Sequence, residues 1–92
     1  MTLKDKVVVA KTLFTQSIDD EIVILDTQSE EYFGLDEMGA VMWEELRQSG
    51  SLEKLFNSIN EAYDVDMEQL KVDILHFVQS LADAGLVQIE SK

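Results

Sequence analysis

The spacing of apolar residues changes once along this 92-residue chain, near Asp36, and that change restricts the folds it can adopt. Before Asp36 the apolar residues form short runs at residues 7–10 and 22–25, and the segment 30–35 carries the aromatic residues Tyr32 and Phe33; all three segments are too brief for helices and typical of β-strands. The polar stretch at residues 15–20 is rich in turn formers, so it is predicted to be a loop. Three strands with short connections predict an antiparallel meander.

After Asp36 the apolar residues recur every three or four positions, which predicts three helices. Asp36, Ser51 and Asp66 precede the three segments, and side chains of these types accept hydrogen bonds from the first amides of a helix. Gly50 and Gly85 follow the first and the third segment, where glycine commonly ends a helix. The predicted helices therefore lie between these markers.

The order of predicted elements is three strands, three helices and an apolar tail at residues 86–89 that could pair as a final strand. We therefore predict an α+β fold that is winged helix-turn-helix-like, with a three-stranded antiparallel sheet followed by three helices. No repeat, linker or low-complexity stretch divides the chain. We expect a single domain over residues 1–92.

The charge balance argues against several classes of partner. Seven cationic residues stand against nineteen anionic ones, for a net charge of −12. Lys and Arg must neutralise phosphates in nucleic-acid binding and attract anionic lipid surfaces, so we expect neither nucleic acid nor membrane as a partner. No apolar run approaches the ~20 residues of a membrane helix, and no signal-peptide pattern begins the chain. We expect a cytoplasmic protein.

No residue pattern indicates catalysis or a cofactor. The chain has no Cys, and His76 is its only histidine. An isolated His lacks the nucleophile and the further ligands that catalysis or metal binding needs. Residues 26–37 have the length of an EF-hand loop, but Glu31 stands where Gly is required. We therefore expect no enzyme activity, no metal and no cofactor.

The third predicted helix carries more apolar surface than one core face requires. At ~100° per residue, Val72 and Leu75 fall outside the predicted core face, beside Gln79, while Asp73 and His76 fall on the polar face. Val72 and Leu75 either pack on the sheet or the first helix, or they line an exposed groove. The sequence alone leaves both interpretations open.

The third predicted strand, residues 30–35, lies at an edge of the predicted meander. An edge strand presents unpaired N–H and C=O groups, and charged residues such as Glu30 and Glu31 commonly protect it from aggregation. Such an edge can accept an extended guest peptide as a further strand.

Several stretches of the sequence, taken in order, resemble the PqqD-like family. They cover about residues 20 to 88. The matching segments are VILD at 23–26, YFGLDEMGA at 32–40, Trp43, YDVD at 63–66, and residues 73–87, which begin with the acidic Asp73, continue with apolar positions and end in AGLV.

The resemblance implies a precursor-peptide recognition element, which binds the leader segment of a ribosomally made peptide and delivers it to modifying enzymes. In the family the leader adds as a strand beside the third strand, in a groove against the third helix. The implied binding residues are Glu30, Glu31, Tyr32, Phe33, Gly34, Leu35, Val72, Asp73, Leu75, His76 and Gln79.

Two subfamilies fit a domain this short. Residues 25–26 and 32–35 are more similar to the type that serves lasso peptide biosynthesis, which implies a cysteine protease for the leader and a macrolactam synthetase as partners. The alternative type serves pyrroloquinoline quinone biosynthesis. A winged-helix transcription regulator is a rival of another class, although residues 66–84 contain one Lys and no Arg. A structural domain that dimerises through its edge strand is a third interpretation.

Overall fold

A computed structural model describes residues 2–90 of the chain. Its elements confirm the predicted α+β class, with a three-stranded antiparallel sheet followed by three helices. They are, in order, β1 Lys6–Val9, β2 Leu13–Ile18, β3 Glu21–Asp26, β4 Glu31–Leu35, α1 Glu37–Ser49, α2 Leu52–Ala62, α3 Met67–Asp83 and β5 Val87–Glu90.

The composition of the sheet corrects one prediction. The three-stranded sheet has the order β2-β3-β4, so its first strand is Leu13–Ile18 and not residues 7–10. Residues 15–18 of the predicted loop are part of this strand, because Thr15 and its neighbours pair in register with β3 and the pairing outweighs their turn propensity. The turn itself is shorter, at Asp19 and Asp20, and Asp19 adopts a φ of 57°.

The run at residues 7–10 pairs with the C-terminal tail instead. β1 and β5 form a separate antiparallel pair in which Val7 faces Ile89 and Val9 faces Val87. The predicted pairing of the tail as a final strand is therefore confirmed. This small sheet lies against the junction of α1 and α2, where the Val7 amide donates to the Gly50 carbonyl at 2.8 Å.

The helices begin at the predicted capping residues. The Asp36 carboxylate accepts the Gly39 amide at 2.8 Å, the Ser51 hydroxyl accepts the Lys54 amide, and the Asp66 carboxylate accepts the Gln69 amide. Each of these contacts satisfies an amide that has no partner within the helix. None of the helices within residues 2–90 is long and apolar enough to cross a membrane.

One hydrophobic core joins the helices to the three-stranded sheet. Trp43 of α1 is fully buried at its centre, and its Nε1 has no hydrogen-bond partner within the described residues. The other fully buried side chains come from β3, all three helices and the segment before β5: Ile24, Leu46, Leu52, Leu55, Ile59, Ile74, Val78 and Leu86. This core holds α1 and α3 in fixed positions beside β4.

Candidate functional site

The hydrogen-bond pattern of the sheet follows from one contact at its end. The Thr27 amide donates to the Thr12 carbonyl at 3.0 Å, directly beyond the paired residues Leu13 and Asp26. In an antiparallel ladder alternate residues direct both backbone groups to the same neighbour. The even-numbered residues of β2 therefore bond to β3, and the even-numbered residues of β3 bond to β4. The Asp26 carbonyl, which accepts the Glu30 amide at 2.7 Å, agrees with this pattern.

The same alternation continues into β4. Glu31, Phe33 and Leu35 pair with even-numbered residues of β3. The backbone N–H and C=O groups of these three residues are therefore hydrogen-bonded to β3. Tyr32 and Gly34 consequently direct their N–H and C=O groups away from the sheet. No strand within residues 2–90 pairs with that side of β4. The outer edge of β4 therefore offers the backbone groups of two residues to an added strand.

Within the predicted segment 30–35, some side chains pack against the core and others are exposed to solvent. Phe33 and Leu35 are half-buried and pack against the core. Tyr32 is 71% exposed, and a Cβ added to Gly34 would meet nothing within 4 Å. Glu30, which the sequence placed in the strand, lies in the preceding turn with a φ of 62°.

A depression of about 400 Å³ lies beside the C-terminal end of β4. Its walls come from β4, the start of α1 and the middle of α3. They are formed by Gly34, Leu35, Asp36, Met38, Gly39, Met42, Asp73 and Phe77. The unpaired edge and a partly apolar hollow are thus adjacent, which is the arrangement that strand addition with side-chain selection requires.

A second hollow of about 250 Å³ continues from the first toward the start of α3. The two share Met38, Met42 and Asp73. The remaining walls of the second are Ile59, Val65, Asp66, Gln69 and Leu70. Since methionine side chains are flexible and polarizable, the shared wall can adapt to guests of different shape.

Of the five predicted residues on α3, the structure brings only Asp73 to the depression. Val72, Leu75 and Gln79 share a stripe that, at ~100° per residue, lies roughly 100–160° round the helix from Asp73. Val72 is exposed, Leu75 packs partly into the core, and Gln79 donates from Nε2 to an Asp83 oxygen at 2.9 Å.

His76 is exposed and is not a wall of either hollow. Peptide contacts by His76, Val72, Leu75 and Gln79 stay predictions. Phe77, which was not among the predicted binding residues, forms part of the wall of the depression. One sequence feature pointed to this part of the site, since Gly39 is an unfavourable residue inside a helix and suggests a close approach.

The walls of the depression carry negative charge. The Asp73 carboxylate accepts from Gln69 Nε2 at 2.9 Å, and the Asp36 carboxylate caps α1 across from it. Neither carboxylate is paired with a cation in the described part of the chain. No group of His, Asp or Glu residues within 2–90 comes together as a metal site. The site is therefore suited to a guest that is apolar with neutral or cationic neighbours.

Asp26 fixes the turn that leads into β4. Its carboxylate accepts the Gln28 amide at 3.0 Å and the Thr12 hydroxyl at 3.3 Å. The Gln28 hydrogen bond is the main cause that lowers the pKa of Asp26, with further hydrogen bonds from Ser29 and Thr12, against the opposing effect of burial. The ionised carboxylate therefore stabilises the start of the edge strand.

Comparison with known proteins gives consistent results. Residues 21–87 match the family model described as Coenzyme PQQ synthesis protein D (PqqD). The solved structure "TbiB1 in Complex with the TbiA(beta) Leader Peptide" is 31% identical, covers 87% of this chain and 93% of its own, and has a TM-score of 0.83. The structure "Lasso peptide synthetase B1 complexed with the leader peptide" has the same fold at 23% identity and a TM-score of 0.81, over 90% and 98% of the two chains. No curated protein matches the sequence significantly.

Proposed function

The chain belongs to the PqqD family, and we propose that it is a non-catalytic module that captures the leader segment of a ribosomally synthesised precursor peptide. The leader would add as a strand to the outer edge of β4 and place side chains in the hollows between β4, α1 and α3. One observation supports this above the others: the unpaired edge at Tyr32 and Gly34 adjoins a hollow walled by Phe77. The related TbiB1 structure, which contains a leader peptide, supports the same proposal.

Affinity and selectivity would come from different parts of the site. Backbone pairing with Tyr32 and Gly34 contributes about 0.5–1.5 kcal/mol per hydrogen bond and distinguishes sequences poorly. Alternate side chains of the added strand point toward the inner side of the sheet, where the hollows lie. Apolar leader residues at those positions would contact Met38, Met42 and Phe77, so these side chains would set the selectivity.

The pathway that the module serves is proposed to be lasso peptide biosynthesis. The identity of 31% to TbiB1 and the shared fold with a lasso peptide synthetase B1 support this choice. In that setting the module would present the bound leader to a cysteine protease, and a macrolactam synthetase would act on the released peptide. The alternative is peptide delivery in pyrroloquinoline quinone biosynthesis, which the description of the family model supports.

A role as a transcription regulator has weaker support. α3 would have to enter the major groove, yet it carries Glu68, Asp73 and Asp83 against a single Lys71. Phosphate contacts depend on cations, and this helix would be repelled by the DNA backbone.

The proposal is tested by removing one outward N–H group from β4. Gly34→Pro deletes that donor without deleting a hydrogen bond to β3, whereas Gly34→Ala keeps it and adds a methyl group into open space. The probe is a synthetic peptide with the sequence of the TbiA(beta) leader, which is bound in the related TbiB1 structure, titrated by calorimetry. We expect Gly34→Ala to bind like the wild type and Gly34→Pro to lose at least about tenfold in affinity, which corresponds to about 1.4 kcal/mol. Equal binding by the two variants, with both folded by circular dichroism, would reject strand addition at β4.

A further inference from the structure

The three-stranded sheet has a second unpaired edge, at β2. The order β2-β3-β4 places Leu13–Ile18 at the opposite margin from the proposed peptide site, and nothing in the described chain pairs with its outer side. Since even-numbered residues of β2 bond to β3, the odd-numbered residues Leu13, Thr15 and Ser17 direct their backbone groups outward. β2 therefore has three residues with unpaired backbone groups on its outer side, whereas β4 has two.

This second edge lacks the usual protection against pairing. None of the six residues of β2 is charged and none is proline, whereas β4 begins with Glu31. Phe14 is 63% exposed and Ile18 is 52% exposed, on the same face as Gln16. Natural edge strands usually carry a charge, a proline or a covering element, so a bare edge of this length suggests a strand that pairs with another molecule.

The charges at the two ends of β2 indicate what kind of molecule would pair with it. Lys11 lies just before the strand, and Asp19, Asp20 and Glu21 follow it. If a second copy pairs antiparallel with Gln16 opposite Gln16, then Lys11 of each copy lies opposite the acidic turn of the other. The same pairing places Phe14 of one copy opposite Ile18 of the second, on one face of the sheet.

We propose that β2 is the interface through which two copies of this chain associate. Antiparallel pairing of the two β2 strands makes one continuous six-stranded sheet about a twofold axis, an isologous contact of the kind that most homodimers use. The two cation-to-anion contacts at its ends act against the repulsion between two chains of net charge −12, and the strand between them adds no further like charges. Both β4 edges then lie at the far margins of the sheet, where each remains open.

The first test uses Gln16, which faces its own copy across the axis. Gln16→Lys makes the net charge less negative by one, so general electrostatics would strengthen association, while the proposed pairing places two like charges opposite each other and weakens it. Gln88→Lys, at an exposed position of β5, gives the same change of charge away from the interface. By sedimentation velocity of the full chain, we expect a concentration-dependent dimer that Gln16→Lys weakens at least about tenfold and Gln88→Lys does not.

The second test reverses the charge at the end of the strand. Lys11→Glu should weaken the dimer, whereas Lys71→Glu on α3 has the same net charge and should not. Gly34→Pro, which blocks β4, should leave the dimer intact. A chain that stays monomeric at about 1 mM, a dimer insensitive to Gln16→Lys and Lys11→Glu, or a dimer lost in Gly34→Pro would each overturn the β2 interface.

Discussion

Gly39 of α1 and Phe77 of α3 lie so close that a Cβ on Gly39 would be 3.5 Å from Cε1 of Phe77. The same Cβ would be 3.2 Å from an oxygen of Asp36 and 3.4 Å from Cβ of Leu35. Gly39 thus allows the N-terminus of α1, the end of β4 and the wall of α3 to converge at the depression. The proposed peptide groove is open at this point because residue 39 is a glycine and has no side chain.

Gly39→Ala should narrow the groove without unfolding the domain. Alanine favours the helix by about 1 kcal/mol over glycine, which offsets the crowding against the Asp36 carboxylate. We expect the midpoint of urea unfolding to change little and the affinity for the leader peptide to fall about tenfold, measured by calorimetry. Unchanged affinity in the folded variant would show that the guest does not enter the depression at Gly39.

Phe77 and Val72 provide a direct comparison between the two sides of α3. Phe77→Ala removes a half-buried wall of the depression and should cost about 1–3 kcal/mol of stability, together with at least about tenfold in affinity. Val72→Ala alters an exposed side chain on the other side and should change stability by less than about 0.5 kcal/mol, with affinity unchanged. Fluorescence of the buried Trp43 reports unfolding in both variants.

The opposite result would support the groove wall that the family resemblance implies. If Val72→Ala weakens leader binding and Phe77→Ala does not, the guest contacts the stripe of Val72, Leu75 and Gln79. Leu75→Glu would be a poor test of that case, because Leu75 packs partly into the core and a buried carboxylate would destabilise the fold itself.

The parts of the fold that depend on local chemistry could be predicted from the sequence. The capping residues and the extended conformation of the tail follow from side-chain types at particular spacings. β2 was not predicted, because Gln16 and Ser17 stand close to the turn formers Asp19 and Asp20, and the single β-branched Thr15 before them does not outweigh that signal. The strand conformation of residues 15–17 comes from pairing with β3, which is a tertiary contact.

The groove likewise has one part that the sequence predicts and one part that depends on tertiary packing. The sequence predicts an edge strand at residues 30–35, as the last strand of the meander, and the structure has that strand at Glu31–Leu35. Which side of α3 faces this edge depends on how the helix rotates on the core, and the apolar periodicity leaves that rotation uncertain by about one residue, or ~100°. Asp73, which was among the predicted residues, and Phe77, which was not, form the wall of the depression, and Val72 and Leu75 do not.

Asp26 should make the stability of the β4 turn depend on pH. Because its pKa is lowered in the folded state, its contribution is fully present above the ordinary carboxyl pKa of about 4 and is lost as the pH falls through the lower folded value. Asp26→Asn keeps an acceptor for the Gln28 amide but removes the charge. In urea unfolding monitored by Trp43 fluorescence, we expect the free-energy gap between wild type and this variant to be largest near pH 7 and to shrink below about pH 4. A gap that is constant or grows in acid would contradict the role of the ionised group.

Gly50 and Gly85 allow the cost of a side chain at positive φ to be compared at a crowded and an open position. Both adopt positive φ, at 67° and 81°, so alanine at either position should cost about 1 kcal/mol from strain. A Cβ on Gly50 would also lie 2.7 Å from the Val7 carbonyl oxygen, whereas one on Gly85 would meet nothing within 4 Å. We expect Gly50→Ala to lower the free energy of unfolding by about 2–4 kcal/mol, because β1 must move away from the junction of α1 and α2 and loses its hydrogen bond there. Urea titrations of both variants measure the difference, and equal losses would show that β1 contributes little to the stability of the domain.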